Sequence, residues 1–178
     1  MSDINILLTH KIWTIPNFLS NNECQTYIDN IHNKHKHISF TNIENDKYVN
    51  NTLTQSFYKT LESYNIPVIH PLIRANNLIM TGIYKIGDNV NIYTNSGLFR
   101  SNLHGIESRY MLLIYLNDDY NGGEIQFYTD TFKPIVTIKP KKGMALLFDI
   151  DLWLQDNPII NGYKYWIGCE IIAKFFTF

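Results

Sequence analysis

The chain has 178 residues, of which 45% are hydrophobic and 14% aromatic, enough for one domain with a sizeable core. Only 17% are charged and the formal net charge is -1, which excludes a nucleic-acid binder working through a basic excess and a polybasic membrane-surface protein. Two cysteines, Cys24 and Cys169, are too few for a disulfide framework, and a reducing compartment is the simpler reading.

No run approaches the roughly 18 apolar residues of a membrane span. The opening MSDINILLTHKIW lacks a basic stretch followed by a long apolar core, so the expectation is a cytoplasmic protein with no membrane partner. Asn, Ile, Tyr and Lys are abundant while Ala, Gly, Pro and Arg are sparse, the contrast of A/T-rich with G/C-rich codons. That bias explains the asparagines without a low-complexity tract. It suits a large DNA virus, which would put the protein in the host cytosol, or an A/T-rich protist.

In chain order, HKIWTI alternates as a strand does and stops at Pro16. Ser20 with Glu23 three residues later forms a capping box, and Phe18 and Cys24 stand near the staple positions. Tyr27, Ile28 and Ile31 continue at helical spacing. A second helix is predicted over Thr52 to Tyr64, with Leu53, Phe57, Tyr58 and Leu61 on one side and Pro67 beyond its end. From Leu78 onward short apolar runs alternate with turn residues. LIMTGIYKI is followed by Gly87-Asp88, and YMLLIYL is continuous enough for a strand buried on both faces. Asn121-Gly122-Gly123 predicts a hairpin turn with EIQFYTD as the returning strand. PIVTIKP, MALLFDI and KYWIGCEIIAKFF are the remaining strands. The expected fold is α+β, mainly β: a double-stranded β-helix (jelly roll) over about 78–178, buttressed by N-terminal helices in a lead-in of about 1–77, all within one domain.

An ordered series of motifs resembles the 2-oxoglutarate and Fe(II)-dependent oxygenases of the prolyl 4-hydroxylase type. Its pieces are Tyr84-Lys-Ile-Gly87-Asp88, Tyr115-Leu116-Asn117-Asp118 with Gly122-Gly123-Glu124 and Phe127, Pro140 to Phe148, and Pro158 with Gly162-Tyr163-Lys164-Tyr165. They span roughly residues 80 to 175. The resemblance implies an iron held by two histidines and one carboxylate, the facial triad with open positions. The family's His-x-Asp place reads Tyr93-Thr94-Asn95 here, and the third ligand position, ten residues before Lys164, is Leu154. A neutral phenol, a neutral amide and an alkyl chain are poor competitors with water for a transition metal. The expectation is therefore that no cofactor, and Fe(II) in particular, is bound at Tyr93, Asn95 and Leu154. The resemblance further implies that Lys164, helped by Tyr84, marks a vestigial pocket for the distal carboxylate of 2-oxoglutarate. Structural roles also account for both: a paired strand lysine and a core aromatic.

Two further groups of residues carry metal-ligand chemistry in principle. His104 and Glu107 lie too close to the Tyr115 strand to align with the triad, and His32, His35 and His37 read as a polar helix end. Three functions follow. The first is a catalytically inactive binding or regulatory pseudoenzyme with a protein or peptide partner. The second is an active hydroxylase with a non-standard metal site. The third is a structural jelly-roll protein.

Overall fold

The computed structural model describes residues 9–34, 41–44, 72–96, 100–101 and 106–174. Among them the chain is mainly β, with antiparallel sheets and one helix, in a jelly-roll-like sandwich. The elements are β1 (Ile12–Ile15), α1 (Asn21–Lys34), β2 (Thr41–Glu44), β3 (Leu72–Tyr84), β4 (Val90–Tyr93), β5 (Arg100–Ser101), β6 (Ile106–Tyr115), β7 (Asn121–Gly122), β8 (Ile125–Tyr128), β9 (Pro134–Ile138), β10 (Ala145–Asp149), β11 (Trp153–Asp156), β12 (Ile159–Asn161) and β13 (Lys164–Lys174). The large sheet runs β1-β10-β6-β13-β3-β2, with β5 joined to β6. The small sheet runs β4-β11-β8-β9, and β12 and β7 form a separate ribbon. No helix among the described residues is long and apolar enough to cross a membrane.

The continuous apolar run of β6 is explained by burial on both faces. Tyr110, Leu112 and Ile114 pack outward with Trp13, Phe18, Cys24, Tyr27 and Ile31, the residues that the β1–α1 segment presents. Met111, Leu113 and Tyr115 point the other way, into the space between the sheets, where they meet Phe127, Phe148 and Leu154. A strand alternates its side chains between faces, so a strand with a core on each side has no polar positions left.

Helix α1 starts as its capping box predicts. The Ser20 backbone N–H donates to Glu23 Oε2 at 2.8 Å and the Glu23 N–H donates to Ser20 Oγ at 3.3 Å. The second predicted helix, Thr52 to Tyr64, lies outside the described residues, as does most of the His32, His35 and His37 cluster. The large sheet takes two strands, β1 and β2, from the predicted helical lead-in, and β3 begins at Leu72 rather than Leu78. The predicted hairpin at Asn121-Gly122-Gly123 is not one. β6 belongs to the large sheet and β8 to the small sheet, so this segment carries the chain from one to the other. The glycines do have positive φ, 78° at Gly122 and 69° at Gly123. They are needed because β7 presses on β12: a Cβ on Gly122 would lie 2.2 Å from the Pro158 carbonyl oxygen.

Candidate functional site

The end of β13 lies against the end of β3, with Lys164 and Tyr84 as register partners. Lys164 is 1% exposed. A lysine buried this completely needs its charge answered. Its Nζ donates to Asp156 Oδ1 at 2.7 Å and to the Gly123 carbonyl oxygen at 2.9 Å. The ammonium also stands over the rings of Tyr115 and Tyr84, 5.3 and 5.6 Å from their centroids. Asp156, the last residue of β11, is itself buried.

This ion pair forms one end of a cavity of about 240 Å³ between the sheets. Met80, Met111, Leu113 and Trp166 supply apolar walls, and Tyr84, Tyr93, Asn95 and Tyr115 supply polar ones. Trp166 reaches the cavity by crossing Gly82, where a Cβ would come within 2.3 Å of its indole ring. Thr94 holds the segment after β4 in place by donating to the Ile150 carbonyl oxygen at 3.0 Å. Two cavity-lining polar atoms, Asn95 Nδ2 and Tyr115 Oη, are buried with no hydrogen-bond partner in the protein. Buried polar atoms left unpaired call for a partner, which water or a polar molecule entering the cavity supplies.

Burial, and then the negative charge of Asp156, push the phenols of Tyr84, Tyr93, Tyr115 and Tyr120 above their ordinary value of 10.0. They are neutral hydrogen-bond donors at physiological pH. Because the folded protein keeps protons that the unfolded chain releases, this contribution to stability is complete below pH 10.0 and is lost as the pH rises past it. In an alkaline titration followed by phenolate absorbance, these four of the twelve tyrosines are expected to stay silent until the protein unfolds. Early ionisation of all twelve in the native state would contradict it.

The positions flagged in the sequence come together only in part. Tyr93 on β4 and Leu154 on β11 are register partners, and Asn95 lies two residues beyond Tyr93 on the cavity wall. Leu154 is fully buried in the inter-sheet core, with Tyr93 packed against that core. An alkyl side chain, a phenol and the carbonyl oxygen of a neutral amide are a poor fit for an iron ion, which is held best by imidazole or anionic oxygen. Among the described residues no three His, Cys, Asp or Glu side chains are grouped to hold a metal. His104 lies outside the described residues. Sequence reasoning missed Asp156. The available signal was strand alternation, which puts Asp156 on the same face of β11 as Leu154, two residues earlier.

No protein-family model matches the chain, and no curated protein matches it. Solved structures do. The viral collagen prolyl hydroxylase vCPH of Paramecium Bursaria Chlorella virus-1, in its 2OG complex, superposes with a TM-score of 0.69 at 20% identity over 93% of this chain and 97% of that one. A prolyl hydroxylase from Trichoplax adhaerens, in complex with a peptide fragment of the hypoxia inducible factor oxygen degradation domain, gives 0.66 at 18% identity over 96% and 87%. An oxidoreductase of the 2OG-Fe(II) oxygenase family from Burkholderia pseudomallei gives 0.67 at 10% identity over 97% and 89%. The shared feature is the prolyl-hydroxylase fold. These neighbours overturn the expectation of a chain without cofactors: 2-oxoglutarate and Fe(II) are the cofactors to be expected of this fold. That expectation rested on three ligand positions alone. It took no account of the cavity beside Lys164.

Proposed function

We propose that this protein is a prolyl-hydroxylase-fold binding protein that does not hydroxylate. In this reading the cavity beside Lys164 and Tyr84 takes 2-oxoglutarate, as the viral neighbour does, and the mouth of the sandwich takes a peptide, as the Trichoplax neighbour does. Its output is the bound complex, a regulatory role in the cytosol, where Cys24 and Cys169 remain free thiols. The observation that carries the reading is Leu154. It stands where the resemblance calls for the third ligand, yet it is a fully buried core residue with no donor atom. A purely structural jelly roll is the poorer reading, because unpartnered Asn95 Nδ2 and Tyr115 Oη would then be kept in a cavity with no use. The test is an assay with Fe(II), 2-oxoglutarate and a proline-containing peptide all supplied. The expected result is ligand-induced thermal stabilisation by 2-oxoglutarate with no succinate above the protein-free blank. Succinate formed together with hydroxylated peptide would show a working hydroxylase instead.

A further inference from the structure

Among the described residues the wall of the cavity has one cation, Lys164, and one anion, Asp156, and each answers the other at 2.7 Å. The remaining polar groups of the wall include donors without a partner. Tyr115 Oη and Asn95 Nδ2 have no partner, and the Lys164 ammonium, with three protons, is seen to place two. Unused donors favour a guest rich in acceptor oxygens, such as a carboxylate. Yet a carboxylate beside Lys164 meets the charge of Asp156 in a poorly screened place, where like charges repel strongly. It must take Asp156's place to be held. The local backbone suits such a change: the register of β11 against β4 shifts between Leu154 and Asp156, and irregularities of this kind re-aim the side chain they carry. Asn157-Pro158 follows directly and ends the strand.

We propose that Asp156 is a built-in competitor for the cavity: its carboxylate holds Lys164 until a carboxylate of a small dicarboxylate displaces it, so this one side chain sets how tightly such a ligand is held. The inference rests on the reading of the cavity as a 2-oxoglutarate site. Calorimetric titration of 2-oxoglutarate into wild type and Asp156→Asn tests it, with the uncharged dimethyl ester as a second probe. Asp156→Asn is expected to bind 2-oxoglutarate about tenfold more tightly or better, while the affinity for the ester changes little. Equal or weaker binding of 2-oxoglutarate by the variant overturns the role of Asp156 and leaves the cavity reading standing. No binding by either folded protein overturns both. Should Asp156→Asn leave Lys164 uncompensated and fail to fold alone, refolding in 2-oxoglutarate replaces the titration. Recovery of folded protein supports the displacement, and no recovery overturns it.

Discussion

Lys164→Met is expected to destabilise the protein by about 3–5 kcal/mol, measured by urea denaturation at neutral pH. Lys164 is 1% exposed and holds Asp156, so removing it strands a carboxylate deep between the sheets. It also leaves the Gly123 carbonyl oxygen without the donor it has at 2.9 Å. Methionine keeps most of the volume, so the loss reads the charge rather than a void. Adding Asp156→Leu should return about half of that loss or more, because a buried pair exchanged for apolar groups is often close to neutral. A single variant as stable as wild type would mean that water reaches the pair freely.

Leu154→Ala is expected to cost about 2–5 kcal/mol by the same measurement, through lost transfer free energy and the void left behind. Leu154 is fully buried, pairs across the small sheet with Phe127 and Tyr93, and belongs to the inter-sheet core. This position is an anchor of the sandwich. A loss below about 1 kcal/mol would show that the neighbouring walls collapse into the space. Since Leu154 and Asp156 share one short strand, the effects of Leu154→Ala and Lys164→Met should not simply add.

The jelly-roll strands were legible where burial leaves a strong pattern. YMLLIYL announces a strand with a core on each side, and α1 packs on one face of the large sheet while the small sheet packs on the other. Ser20 and Glu23 announce the start of α1 because a capping box is a local interaction. The family resemblance named Tyr84 and Lys164 together, and the two are register partners where β3 meets β13. What stayed hidden is non-local. Gly122 and Gly123 declare their dihedrals but not which sheet the next strand joins. β4, β11 and β12 are three or four residues long and partly polar, too short for a period to show. Asp156 precedes Asn-Pro and reads as a surface turn residue. Its burial follows from Lys164, eight positions later, folding back over the same end of the sandwich.

The order of the large sheet has a consequence for how the chain assembles during synthesis. β1 pairs with β10, so Ile12 to Ile15 find their partners only after residues 145–149 have been made. At typical elongation rates of roughly 5–20 residues per second, that interval is on the order of ten seconds. Throughout it, Trp13, Ile15, Cys24 and Tyr27 have no sheet to cover them, because β6, β10 and β13 all come later in the chain. Pairings this distant along the chain make folding slow, since loop closure must precede the contacts that reward it. The nascent chain therefore presents a sticky N-terminal segment to its surroundings, and a chaperone that shields short apolar stretches should raise the yield of folded protein more than a lower temperature does.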